Sequence, residues 1–133
     1  MDHFVYRRHR LFAEEVPLAT IADAVGTPVY VYATATLRRH YRVLAEALSA
    51  LSPTICYAIK ANGNIGVVAT LAREGAGADV VSGGELLTAL TAGVLASGIV
   101  FSGVGKTAEE MAAALRADVL QISAGRHLGE VLL

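Results

Sequence analysis

The sequence predicts an α/β fold built from consecutive parallel β/α units. Three observations carry this: apolar strand patterns alternate with helical ones from residue 54 onward, the strands start near 55, 78, 99 and 118, and Gly-rich turns bound each of them. Units of about twenty residues are too short for anything but a strand, a turn and a covering helix.

The elements follow in order. Pro17 opens a helical pattern in which Leu18, Ile21, Ala22 and Val25 share a face, and Gly26 ahead of Thr27-Pro28 ends it. PVYVYA at 28–33 alternates with the period of a strand. A longer helix is predicted from Leu37, Tyr41, Leu44 and Leu48, with Thr34 or Thr36 as its N-cap and Pro53 closing the region. TICYAIK is then read as a strand, 64–74 as a helix with Gly75 past its end, GADVVS as a strand and 83–92 as a helix closed by Gly93. IVFSG is the next strand, 107–116 the next helix and DVLQIS the last strand. A doubly wound sheet and a (β/α)8 barrel both fit this alternation. A complete barrel takes about 250 residues, so a barrel reading makes these 133 residues about half of one.

Bulk composition narrows the function classes. With 54% hydrophobic residues the chain can build a core, and 11 Lys plus Arg against 12 Asp plus Glu give no general attraction to nucleic acid or to acidic membranes. The basic run Arg7, Arg8, His9, Arg10 is short, lacks interleaved aromatics and reads as a solvated surface. The one cysteine, Cys56, rules out a disulfide framework within the chain and a zinc site of several thiolates, so a reducing compartment is expected. Charges at Asp2, Arg7, Arg8 and Arg10 leave no signal-peptide core, and no run of 18 apolar residues suggests a membrane span. The expected location is the cytoplasm.

Lys60 is the residue with the most chemical promise. Period-2 alternation places Cys56, Ala58 and Lys60 on one face of TICYAIK, with the lysine at the C-terminal end of its strand. That end is the catalytic edge in barrels and open α/β sheets. A desolvated lysine there can act as a neutral amine and form a Schiff base with an aldehyde. The competing reading is a lysine ending its strand at the solvent boundary.

Two nucleotide readings fail. A Walker A motif ending in GVGKT needs a glycine where Val100 stands. Gly103, Gly105 and Ala108 satisfy the loose dinucleotide pattern, but the acidic residue expected near the end of the next strand is missing from Ile122, Ser123 and Ala124. His3, His9, His40 and His127 show no metal-ligand spacing.

Three motifs, YAIKAN at 57–62, GADVVSGGEL at 77–86 and IVFSGVGKT at 99–107, resemble consecutive motifs of the diaminopimelate decarboxylases, in the same order and spacing. HFVYR at 3–7 and GTPVYVYATATL at 26–37 are similar to that family's leader and to the segment before its barrel. The resemblance implies the N-terminal half of a pyridoxal-phosphate-binding (β/α)8 TIM-type barrel, incomplete here. Residues 1–26 would be a leader that joins a second β domain, 27–123 the first part of the barrel, and 124–133 a tail, AGRHLGEVLL, that departs from the family pattern.

It also implies pyridoxal 5'-phosphate as cofactor, a small amino-acid substrate, and a homodimer for the full-length protein. The reaction would be decarboxylation of meso-diaminopimelate to L-lysine. Lys60 takes the role of the lysine that carries the cofactor, and Asp79 and Glu85 match acidic positions near it. The phosphate loop and the acid that pairs with the pyridine nitrogen belong, in the family, to segments after residue 133. His127 does not match the context of the imidazole that stacks on the cofactor. A different class of reading is a non-catalytic remnant or a one-domain pyridoxal-phosphate-binding protein.

Local chemistry offers simpler jobs for some of these residues. Ser82-Gly83-Gly84-Glu85 and Thr107 with Glu110 fit capping boxes, and Asn62 and Asn64 read as turn or cap residues. Ser102, Gly103 and Lys106 show no sharp chemistry of their own.

Overall fold

The computed structural model describes residues 2–123; the divergent tail, Ala124 and His127 lie outside the described residues. Two sheets are present. The first is an antiparallel meander of β1 (Phe4–Arg7), β2 (Arg10–Ala13) and β3 (Val16–Pro17). The second is a parallel sheet in the order β4 (Cys56–Ala58), β5 (Gly77–Val80), β6 (Ile99–Phe101), β7 (Gln121–Ile122). Helices α1 (Leu18–Val25) and α2 (Thr34–Ala47) precede the parallel sheet, and α3 (Ile65–Arg73), α4 (Gly83–Thr91) and α5 (Ala108–Arg116) connect its strands.

Strand order decides between the two architectures the alternation allows. A doubly wound sheet reverses direction and carries helices on both faces. Here each strand lies beside its predecessor, and the connecting helices all pack into one core layer through Val68, Leu86, Ala89 and Ala114, as right-handed crossovers require. The sheet is an arc of a barrel.

Register sorts its residues by face. Tyr57, Ala78 and Ile99 align across the sheet, as do Val80, Phe101 and Ile122, and this face packs under the helices. Ala78, Val80, Ile99 and Phe101 are fully buried there with Ile59, Val68, Leu86, Ala89 and Ala114. Each large apolar side chain so buried contributes about 1.5–3 kcal/mol, so this layer holds the arc together. Ala58, Asp79, Val100 and Gln121 align on the opposite face, which no helix among the described residues covers and where Ala58, Asp79 and Val100 are half-buried.

The close approach of β5 to its neighbour requires Gly77. A Cβ there would fall inside contact distance of the Gly98 carbonyl and 3.0 Å from the Cys56 Sγ.

The N-terminal meander was not anticipated as a sheet, because its hairpin lacks the usual Asn-Gly signal. The basic run supplies the turn instead: Arg8 and His9 both adopt positive φ, at 48° and 64°, between paired Arg7 and Arg10. Arg7 pairs with the Glu15 carboxylate and lies 5.1 Å over the Phe12 ring.

Three local expectations are corrected. PVYVYA forms no strand among the described residues; Val29, Tyr30 and Tyr32 are exposed, and Ala33 ends the segment as the N-cap of α2. Its alternation supports an extended chain, but a strand also needs a ladder partner. Neither Thr34 nor Thr36 caps α2. The Ala35 N–H donates to Glu14 Oε1 at 2.8 Å, so a carboxylate from the meander serves as the cap, while Thr36 bonds Asp2 and His3. The third correction concerns Lys60: β4 stops at Ala58 and a 3₁₀ turn, Ile59–Ala61, follows, so the strand alternation does not reach the lysine.

The α2 helix joins the arc through Leu37 and Tyr41, packed against Val67, Leu71 and Ala76, and through Arg42, whose guanidinium grips Glu74 at 2.5 and 2.9 Å. No helix among the described residues is long and apolar enough to cross a membrane.

Candidate active site

The C-terminal rim of the arc gathers the residues of interest. Lys60 sits on the 3₁₀ turn directly after β4 and is exposed. The turn is tied at several points: Ile59 is 2% exposed within the core, and the Tyr57 hydroxyl donates to the Asn62 carbonyl at 3.2 Å. Asn62 Oδ1 accepts the Asn64 N–H, and Asn64 Oδ1 caps α3 by accepting the Gly66 N–H, each at 2.9 Å. Both asparagines therefore act as the turn and cap residues their sequence context suggests. Burial pushes the Tyr57 phenol above its usual range, which keeps it protonated to donate. Among the described residues no hydrogen bond or ion pair engages the Lys60 ammonium.

Asp79 stands on the uncovered face, in register with Ala58 two residues before Lys60. Its Oδ1 accepts a hydrogen bond from the Ser102 hydroxyl at 2.5 Å. The carboxylate also reaches Cys56 electrostatically: the thiol is pushed up by burial first and by Asp79 second. That coupling agrees with the shared face.

Glu85 lies one turn into α4. Its N–H donates to the Ser82 hydroxyl at 3.3 Å, as a capping serine requires, but its carboxylate accepts the Val81 N–H at 2.8 Å rather than that of Ser82. The reciprocal box is displaced by one residue. Thr107 and Glu110 form the complete box on α5. Glu110 also accepts the Gly83 N–H at 2.6 Å, and these backbone donors hold its carboxyl below the usual range.

The IVFSGVGKT segment is where sequence reasoning missed most. Lys106 Nζ donates to the carbonyls of Ser102, at 3.0 Å, and Gly103, at 2.5 Å, and lies 5.3 Å over the Phe101 ring. The legible signal was period-2 alternation carrying Val100 and Ser102 onto the face of Asp79.

All three helix N-termini at this rim give first-turn donors to side chains: Gly66 to Asn64, Glu85 to Ser82 and Glu110 to Thr107. The rim thus offers an exposed lysine on the turn after β4, and a carboxylate bonded to a hydroxyl on the two following strands, with one first-turn donor of each rim helix already taken by a side chain. Among the described residues no cluster of three His, Cys, Asp or Glu side chains could hold a metal ion.

Fold and site together define part of a parallel β/α barrel whose C-terminal rim presents a lysine. A family model for the pyridoxal-binding domain of pyridoxal-dependent decarboxylases matches residues 34–128, and the chain belongs to that family. A diaminopimelate decarboxylase of Pseudomonas fluorescens is 54% identical over 119 residues, covering 90% of this chain and 29% of that protein. The crystal structure of the M. jannaschii diaminopimelate decarboxylase in co-complex with L-lysine superposes with a TM-score of 0.84 at 33% identity, over 90% of this chain and 29% of that one. A lysine/ornithine decarboxylase of Vibrio vulnificus, complexed with putrescine, aligns with a TM-score of 0.69 at 27% identity, covering 77% and 28%. The chain spans about three tenths of the length of the relatives it matches.

Proposed function

We propose that this chain is the lysine-bearing part of a pyridoxal-phosphate-dependent decarboxylase that converts meso-diaminopimelate to L-lysine and carbon dioxide. The observation that carries this is the Lys60 amine, unengaged among the described residues on a tied turn at the C-terminal rim.

The residues present fit the cofactor's aldehyde end. Lys60 is exposed and could attach it, and Asp79 follows on the neighbouring strand, in register with Ala58. For its phosphate, one first-turn donor of each rim helix is already directed to a side chain, those of Gly66, Glu85 and Glu110 to Asn64, Ser82 and Thr107. When bound, pyridoxal phosphate supplies an electron sink for the pair left behind by departing carbon dioxide.

The chain's own residues orient and position. Lys60 holds the cofactor by its Nζ. Asp79 presents the oxygen that Ser102 leaves unoccupied. Glu85 acts in the same neighbourhood by fixing the Val81 backbone at the end of β5. Substrate choice follows the relatives: identity is 54% and 33% to diaminopimelate decarboxylases but 27% to the lysine/ornithine enzyme.

The proposal extends to organisation. Residues 1–26, which include the meander, belong with a second β domain, 27–123 form the first part of the barrel, and 124–133 are a separate tail. The active protein is a homodimer of the cytoplasm, where the unpaired Cys56 stays reduced.

The test is a graft of residues 1–123 in place of the matching segment of the Pseudomonas fluorescens enzyme. Carbon dioxide release from meso-diaminopimelate is expected, with borohydride reduction placing a pyridoxyl label on Lys60. Lys60→Ala should abolish turnover and leave the circular dichroism spectrum unchanged. A label on Lys106, or release from ornithine in place of meso-diaminopimelate, overturns the reading.

A further inference from the structure

We infer that Ser102 and Lys106 are positioning residues for Asp79, built to fix one carboxylate oxygen so that the other faces the cofactor site. The inference rests on the function proposed above for Asp79.

A carboxylate on an open sheet face has several rotamers available. Ser102 removes that freedom by donating its hydroxyl to Oδ1 at 2.5 Å. The hydroxyl can do so only if its own backbone is held in register, and it is: the Ser102 N–H donates to the Val80 carbonyl at 2.8 Å, extending the ladder one residue past β6. Gly103 then turns the chain with φ +84°, where the nearest atom to an added Cβ would be that of Val81 at 3.1 Å. Conformation and space both call for glycine at this corner.

Lys106 closes the device. Its ammonium donates to the Ser102 and Gly103 carbonyls and rests on the face of the buried Phe101 ring. A surface lysine ordinarily keeps its ammonium in water; here two of its hydrogen bonds are directed onto one turn.

The geometry gives a sequence of constraints from Lys106 to the Ser102 backbone, and from the Ser102 hydroxyl to Asp79. Removing the hydroxyl should act only through Asp79. The graft described above, in which the barrel is completed, carries the test, with Ser102→Ala, Ser102→Thr, Lys106→Met and Asp79→Asn made singly and Ser102→Ala combined with Asp79→Asn. Three-bond carbon couplings read the Asp79 χ1 rotamer, and borohydride trapping at a fixed pyridoxal phosphate concentration reads cofactor attachment to Lys60.

One dominant Asp79 rotamer is expected in the wild type and in Ser102→Thr, with rotamer averaging in Ser102→Ala. Trapping should fall about tenfold in Ser102→Ala, about the effect of one lost charge-assisted hydrogen bond, and recover in Ser102→Thr. Lys106→Met keeps the aliphatic stem on Phe101 and should give a smaller loss. In the Asp79→Asn background Ser102→Ala should cost nothing further, because coupled residues are not additive. Full additivity, or an unchanged Asp79 rotamer in Ser102→Ala, overturns the inference. Absence of trapping at wild-type Lys60 overturns the functional reading instead, and the rotamer measurement then decides the Ser102 contact alone.

Discussion

Glu110 of α5 accepts the backbone N–H of Gly83, the first residue of α4, at 2.6 Å, while its other oxygen accepts the Thr107 N–H at 2.9 Å. One carboxylate thus closes the N-termini of two consecutive helices at the rim that carries Lys60 and Asp79. Charge at a helix N-terminus also meets the positive end of the macrodipole.

This bridge makes stability depend on pH in a defined direction. The Glu110 carboxyl is held below its usual range by the Thr107 and Gly83 N–H groups first, so folding favours its ionised form. Its contribution is complete above the ordinary carboxylate range and is lost as pH falls through that range to the lower folded value. Urea midpoints measured from neutral to acid pH should therefore fall more steeply for the wild type than for Glu110→Gln. Parallel curves would show that the bridge carries no linked proton.

Ser82 separates capping from chemistry on β5 and α4. Its hydroxyl accepts the Glu85 N–H, so Ser82→Ala should cost about 1 kcal/mol of stability with cofactor trapping nearly unchanged. Asp79→Asn is expected to do the reverse, leaving the denaturation midpoint in place and lowering trapping at Lys60. A shared pattern for both variants would remove the distinction between cap and site.

Gly77→Ala tests the tightest approach in the sheet. The added methyl would collide with the Gly98 backbone, which cannot rotate away as a side chain can, and would touch the Cys56 Sγ. Overpacking of this kind costs about 1–3 kcal/mol or more. Denaturation should shift accordingly, with Cys56 thiol accessibility rising because β4 is pushed outward. Unchanged thiol reactivity would show that the strain is absorbed elsewhere.

Local pattern carried the helices and the parallel strands, since α3, α4 and α5 and their caps Asn64, Ser82 and Thr107 depend on residues close in sequence. What escaped depends on distant partners. PVYVYA has a strand's alternation but no ladder partner among the described residues, and the α2 cap comes from Glu14, twenty-one residues before the N–H it satisfies. Period-2 alternation extends the TICYAIK strand past its end at Ala58, because a 3₁₀ turn buries Ile59 and exposes Lys60 without leaving a mark in that pattern. The resemblance sets Asp79 and Glu85 near the same cofactor, and the chain carries Asp79 on β5 and Glu85 in the first turn of α4. Their tasks differ, because one carboxylate meets a hydroxyl across the sheet and the other a backbone N–H.

The 133-residue chain by itself should attach pyridoxal phosphate weakly and show no turnover. Lys60 can form its bond to an aldehyde wherever the amine is accessible, so some borohydride label on it is expected. Affinity in such sites comes from holding the rest of the molecule, and here the helix N-termini at the rim have spent first-turn donors on Asn64, Ser82 and Thr107. Without a held phosphate the advantage of fixed orientation, which can reach about 10⁵ M in effective molarity, is lost. The uncovered sheet face adds to this. Asp79 is flanked by half-buried Ala58 and Val100, and the groove beside β4 is lined by Leu37, Tyr41 and Ile55, surfaces that a closed barrel would cover. Inorganic phosphate gives the sharpest control: with no cradle in the described residues it should not compete with trapping at Lys60. Phosphate competition, or carbon dioxide release from meso-diaminopimelate by the purified chain, would mean that the chain holds an anion site beyond the capped helices.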